Sequence, residues 1–346
     1  MLSCFFNVSW QDFCQPRRMK NLLSTVPLYL IALFIFSTLS AFSQDFAAVD
    51  KKVNSYPKTY QHFDKLAAQI NSDFTRDDEK ARAAFAWIAL NVQYDVNLYK
   101  SQAQAGSFTF RTQEERIRKE RQFDIDLALK TLRTKKAVCH GYTVLFNEIM
   151  TLSNIESVLI PGTSKTNPLH IGQLPALPDH AWNAVKLDGQ WKFVDVTWGA
   201  GAIDGSTGKF MFKYNPAFFM TDPELFFLNH FPQDIKWLMV DKSAEQWAQL
   251  PLYYGDFLNS DYTFVSPSIG MLSSGQSVLK FKVNNLPNQQ LTYAFSSERI
   301  VKILQPQRSG NTATFEIPVN PRATGYLTIF VDNKSVVTYK LDKNAS

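Results

Sequence analysis

Apolar positions in the first half of the chain recur at helical spacing. Tyr60, Phe63, Leu66 and Ile70 predict a helix over residues 58–70. Thr75-Arg76-Asp77-Asp78 has the pattern of a capping box that opens a second helix, whose buried stripe is Ala81, Ala84, Phe85, Ile88 and Val92. Residues 101–123 break the pattern. Gly, Gln and Ser give way to the mixed-sign run 114–121, which predicts a solvated helix face on a surface insertion that partly covers the site. A short helix resumes over 126–132. From Cys139 onward, Tyr142, Leu145, Phe146, Ile149 and Leu152 mark one apolar face of a helix that has the cysteine in its first turn. Residues 157–161 then read as a strand, and 162–179 as a long loop rich in Pro and Gly.

The stretch 180–198 has the marks of a β-hairpin. Asp188-Gly189 is a dipeptide suited to a type I′ turn, because both residues tolerate positive φ. A two-residue turn there pairs Leu187 with Gln190, and continuing the register sets Trp182 opposite Asp195 and His180 opposite Thr197. His180 and Asp195 then share a face as diagonal neighbours, about 7–8 Å apart along the backbone. Beyond Gly201 the chain is irregular and aromatic, with Asp222-Pro223-Glu224 opening a short helix. Residues 251–260 read as a linker. After it, β-rich runs at 263–265, 278–283, 291–295, 301–304, 312–319, 326–331 and 336–341 predict an immunoglobulin-like sandwich without a disulfide.

Charge narrows the picture little. The net charge is +5, and residues 1–43 carry Arg17, Arg18 and Lys20 against Asp12 alone. The remainder is too nearly balanced to suggest nucleic acid as a partner. Those first residues read as an export signal: a basic cluster, an apolar run from 22 to 36, then Ala41-Phe42-Ser43 as a cleavage pattern, with Met19 a plausible start. The expected location is therefore the periplasm or the extracellular space. Membrane contact is expected only through that segment, should it remain uncleaved. The expected division is 1–43 signal, 44–250 first domain, 251–260 linker and 261–346 sandwich.

With the signal removed, Cys139 is the single cysteine left, since Cys4 and Cys14 precede the apolar run. It has no internal disulfide partner, and a free thiol in an oxidising compartment is a liability unless it is inert or needed. Thiol catalysis requires a thiol, a base and an acceptor that orients the base. Cys139, His180 and Asp195 are the set that offers all three, and free N–H groups at a helix start suit a thiolate. His140 is a rival base, but a neighbour at a helix start points away from the thiol more often than toward it. His62, His170 and His230 have no acidic or cysteine partner at motif spacing and read as surface or packing histidines. No residues stand at metal-ligand or phosphate-loop spacing, so neither a metal nor a cofactor is expected.

Four stretches taken together resemble the transglutaminase-like superfamily, in its kyphoscoliosis-peptidase branch. They are 80–95, 130–142 with Lys-Ala-Val-Cys-His-Gly-Tyr at 136–142, His-Ala-Trp-Asn-Ala-Val at 180–185, and 191–201 with Asp-Val-Thr-Trp-Gly at 195–199. His230-Phe231-Pro232 resembles the segment that closes such domains. The resemblance implies an α+β papain-like core over about residues 58–240, with Cys139 as nucleophile, His180 as base and Asp195 as orienting acid. Two features depart from the family: Ala137, where Gly is usual, and the insertion at 101–123. The implied activity is that of a cysteine peptidase or amidase on a protein or peptide substrate, with the cell envelope as one setting. The alternatives are a cross-linking acyltransferase and a non-catalytic envelope or adhesion module.

Overall fold

A computed structural model describes residues 46–101, 109–298, 300–319 and 324–343. The expected export signal and part of the 101–123 insertion lie outside the described residues. Among these residues, no helix is long and apolar enough to cross a membrane.

The fold is α+β. Helix α1 spans Phe63–Asp73 and starts later than its spacing predicts, because the His62 side chain accepts the Asp64 N–H and serves as its N-cap. Helix α2 spans Asp77–Asn91. The predicted capping box does not form: Arg76 is the N-cap residue, and its guanidinium pairs with Asp78 instead. The expected stripe of α2 is buried, and so are Ala83, Ala86, Trp87 and Ala89 on its other sides. Small alanines let neighbouring elements approach from every direction, so this helix runs through the core rather than along it.

Helix α3, Gln113–Thr134, joins the charge run and the predicted short helix into one 22-residue element. Thr112 caps it by accepting the Glu115 N–H. The charged half is only partly solvated. Arg121 makes a two-pronged ion pair with Glu148, whose carboxylate is buried, through Arg121 Nη1 to Oε1 and Nη2 to Oε2. Ala128, Thr131 and Leu132 of the other half are buried. Helix α4 spans Cys139–Leu152. Its predicted face is buried except for Leu152, which stands exposed in the last turn.

Five antiparallel strands form the sheet beside these helices: β1 (Ser157–Ser164), β2 (His180–Leu187), β3 (Gln190–Val194), β4 (Phe219–Thr221) and β5 (His230–Pro232). Their order is β4-β3-β2-β1-β5. Strand β1 runs three residues beyond the predicted end, because residues 162–164 pair with β5. The β2–β3 register is the predicted one, from Leu187 opposite Gln190 to Asn183 opposite Val194. Asp188 and Gly189 both have positive φ, as a type I′ turn requires. Alternation along β2 puts Trp182 and Ala184 in a cluster with Ile160, Phe193 and Phe226, while Val185 and Leu187 join the main core on the helix side.

The C-terminal part holds two sheets. One contains β6 (Leu252–Tyr253), β8 (Met271–Ser273), β10 (Leu291–Phe295), β11 (Lys302–Leu304), β14 (Gly325–Val331) and β15 (Lys334–Asp342); the other contains β7 (Thr263–Ser266), β9 (Val278–Asn284), β12 (Gln307–Ser309) and β13 (Thr312–Pro318). All seven predicted runs are strands. Strands β8 and β12 are additions, each three residues long and too short to show alternation. The stretch 251–260 is not a plain linker. Strand β6 pairs with β15, and a short helix follows at Gly255–Leu258. Leu252, Tyr253, Phe257 and Leu258 are buried there, which supplies the reason that it is ordered.

Candidate active site

Cys139 is the first residue of α4 and is partly exposed. Its place is fixed from three sides. Residues 93–94, just after α2, pair in parallel with 136–137, which sets Tyr94 beside Ala137. The Tyr142 hydroxyl donates to the Val92 carbonyl at 2.6 Å. The Asn183 side-chain amide donates to the Thr143 carbonyl at 3.2 Å and so ties α4 to β2. Gly141 permits a close approach: a Cβ there would stand 2.5 Å from both Ala137 Cβ and Thr131 Oγ1. The methyl that Ala137 adds, where the resembling family usually has Gly, thus packs into space that Gly141 leaves open.

His180 starts β2 and is held by its predecessor. The Asp179 carboxylate accepts from the Ser164 N–H at 2.8 Å, and the Asp179 N–H donates to the Gly162 carbonyl at 3.0 Å. The His180 ring then meets Asp195, with Nε2 at 2.7 Å from Oδ2. Cys139 lies near enough to the ring to favour its charged form. With Nε2 engaged by the carboxylate, Nδ1 is the nitrogen left for the thiol. The predicted His–Asp contact therefore exists, but not as two strand residues. Strand β3 ends at Val194, and Asp195 is the N-cap of a short helix, Val196–Ala200, accepting the Trp198 N–H on Oδ1 at 3.0 Å.

The electrostatics follow from burial and pairing. Asp195 is fully buried and His180 nearly so. Burial works against the imidazolium, but the facing Asp195 carboxylate and the thiol contact outweigh it and raise His180 well above the ordinary histidine range. Burial likewise works against the carboxylate, but His180 and His230 hold Asp195 below the usual carboxylate range. Tyr94 stands within electrostatic reach of Cys139, and burial pushes its phenol up.

His230 corrects the sequence reading. It is a packing residue, stacked on Phe226 with ring centres 3.9 Å apart, but it has an acidic partner: Nε2 lies 3.1 Å from Asp195 Oδ2. Its distance along the chain from residues 180 and 195 hid this. The signal available was His230-Phe231-Pro232 at the close of the domain, which becomes β5 and pairs with the end of β1. The rival base His140 faces α3, with Nε2 at 3.3 Å from Asp124, and its ring lies against Phe123. His62 caps α1, and the His170 ring accepts the Thr166 N–H at 3.4 Å.

The donor atoms of His180, Asp195 and His230 all lie within 4.8 Å of one another, a grouping that sequence spacing did not reveal. A metal could be considered there. However, the 2.7 Å between His180 Nε2 and Asp195 Oδ2 is that of a proton-bridged pair. Two ligands on tetrahedral zinc, with bonds of about 2.0–2.1 Å, would stand about 3.3 Å apart. The contacts fit protons shared between imidazoles and a carboxylate.

Residues 61–203 match a family described as "Transglutaminase-like domain". The chain is also similar to two proteins named "Kyphoscoliosis peptidase". It is 32% identical to the one from Mus musculus over 211 residues and 32% to the one from Homo sapiens over 212, each match covering 60% of this chain and 29% of the relative. It is 28% identical over 218 residues to a "Lim and transglutaminase domain protein" of Caenorhabditis elegans, covering 59% of this chain and 27% of that one. The chain therefore spans less than a third of the length of these curated relatives. The family match contains the helix that bears Cys139, the strand that bears His180 and the cap that bears Asp195. Residues 61–203 of this chain are thus similar in sequence to a transglutaminase-like domain.

Proposed function

We propose that Cys139, His180 and Asp195 form a thiol acyl-transfer centre, and that the protein is a cysteine peptidase or amidase acting on a protein or peptide. The observation that carries this reading is the His180 ring bound to the buried Asp195 carboxylate at 2.7 Å, with Cys139 at the start of α4 close enough to act on that ring. The printed names of the curated relatives support it in kind. Residues 1–43 support action after export, in the periplasm or outside the cell.

In this reading the thiol proton has already passed to His180 Nδ1 in the resting protein, and the Cys139 thiolate attacks a carbonyl carbon. The resulting imidazolium is held by Asp195, which keeps its charge throughout. The developing oxyanion faces the start of α4, where the Cys139 N–H has no acceptor within the helix. Collapse of the tetrahedral species breaks the C–N bond, and the amine leaves with the proton from His180. A thioester remains. Water then gives a proton to His180 and attacks the thioester; carboxylic acid leaves and the thiolate is restored.

Alkylation of the purified protein by iodoacetamide tests the reading. At about pH 6, where a free cysteine reacts slowly because its thiolate is scarce, Cys139 reacts faster than free cysteine, and His180→Ala removes the advantage. Ordinary reactivity in both proteins would refute an acyl-transfer centre. Incubation with a fluorescent primary amine and a glutamine-containing protein separates the alternatives: hydrolysis leaves the amine unattached, whereas a cross-linking enzyme incorporates it. If Cys139→Ala fully restores function in cells lacking the protein, a binding module is favoured over both.

A further inference from the structure

Asp195 is the most heavily engaged side chain of the site. Its Oδ1 accepts the Trp198 N–H, and its Oδ2 faces two imidazole nitrogens, His180 Nε2 at 2.7 Å and His230 Nε2 at 3.1 Å. A buried carboxylate needs donors, since each missing one leaves a lone pair without water to replace it. A second histidine is more than that need demands. His230 is almost wholly inaccessible, sandwiched by Phe226 and also against Trp198 and Trp182, with ring centres 4.5 and 5.1 Å away. A ring retained for packing alone would be served by Phe. This ring directs a nitrogen at the one carboxylate that steers His180.

We propose that His230 is a positioning residue of the thiol centre: its Nε2–H holds Asp195 Oδ2 in place, so that the carboxylate keeps the orientation in which it steers His180. The inference rests on the acyl-transfer reading above and extends it by a fourth residue. The two ends of Asp195 are then clamped by different parts of the chain, Oδ1 by the start of the helix at 196–200 and Oδ2 by β5. The roles of the two histidines divide by their surroundings. His180 has the thiol as a second partner and is held charged. Burial lowers His230, whose charged neighbours are Asp195 and His180, and the neutral ring donates without placing a second cation in the core. In this tautomer Nε2 carries the proton and faces Asp195, while Nδ1 lies 3.3 Å from the Phe226 carbonyl.

Three variants test this by the pH profile of Cys139 alkylation with iodoacetamide, alongside thermal unfolding. His230→Phe keeps the ring and its stacking but removes the donor. His230→Gln can set its amide nitrogen where Nε2 stands, whereas His230→Asn is too short to reach. The expected result at about pH 6 is a loss of about tenfold in His230→Phe and His230→Asn, the ratio that one pKa unit of the pair produces. His230→Gln should lie near wild type, and all four proteins should converge at alkaline pH. If His230→Phe folds and alkylates like wild type at about pH 6, the inference is overturned while the acyl-transfer reading stands. If His230→Phe fails to fold, equal reactivity of the Gln and Asn variants overturns it instead. Ordinary thiol reactivity in the wild type would overturn both.

Discussion

Asp195 and Trp198 are joined by a helix cap, with Oδ1 accepting the Trp198 N–H at 3.0 Å. The other oxygen, Oδ2, faces His180. The local geometry of a capped turn thus sets the orientation of Asp195 before His180 meets it. Asp195→Asn keeps the size of the side chain but places an amide where a carboxylate accepted from three donors. Truncating one partner of a buried charge pair costs about 3–5 kcal/mol, and Asn, which keeps one acceptor, should fall at or below the lower end. The pH dependence has a defined window. Asp195 is lowered on folding, so its contribution is present above the unfolded value near 3.9 and lost as pH falls through the folded one. His180 is raised, so its contribution is full below about 6.5 and lost as pH rises through the folded value. Urea unfolding of both proteins should therefore show the largest difference between about pH 4 and pH 6.5, and a smaller one on either side.

Gly141→Ala should disturb the thiol without touching the triad. The added methyl meets Ala137 Cβ and Thr131 Oγ1 at 2.5 Å, and all three positions lie in packed structure. Overpacking of this kind costs about 1–3 kcal/mol. The better helix propensity of Ala returns at most about 1 kcal/mol. The variant should unfold at lower urea and alkylate more slowly at Cys139. Combining it with Ala137→Gly should recover much of both losses, since that change removes one of the two contacts.

Lys165 is a buried amine outside the site. Its Nζ donates to the carbonyls of Trp247 at 2.6 Å and Leu250 at 2.9 Å and lies 4.5 Å from the Trp247 ring centre. The side chain thereby ties the end of β1 to the chain entering β6. Burial pulls its pKa down to about 7. An unfolded lysine titrates near 10.4, so between these values the unfolded chain binds more protons, and stability rises with pH. Lys165→Met should flatten that rise. Stability measured by urea at about pH 7 and about pH 10 would reveal it, and parallel curves for the two proteins would argue against a buried lysine that sheds its proton.

Most of the fold could be read from periodicity and turn chemistry. Asp188-Gly189 alone set the β2–β3 register, because a two-residue turn with positive φ at both positions leaves one pairing. The seven C-terminal runs were visible because half-buried strands alternate. The failures have physical causes. The helix cap at Asp195 was masked by the hairpin pattern, which runs on smoothly past Val194. Arg121 looked solvated because its partner, Glu148, lies 27 residues away on the next helix. His230 was missed for a similar reason: the sheet order brings β5 beside β1, and no spacing rule reports which strand becomes a neighbour. Local sequence singled out Cys139, His180 and Asp195, while the contact of His230 with Asp195 became visible only with the tertiary fold.

The protonation state of His180 tests the account most directly, since everything proposed for the thiol depends on an imidazolium held between sulfur and carboxylate. Nitrogen NMR of the ring can read it without knowledge of the substrate. At about pH 8, well above the ordinary histidine value near 6.5, the wild-type ring should carry protons on both nitrogens, and Asp195→Asn should return it to the neutral form. A ring that titrates near the ordinary value in both proteins would contradict the account.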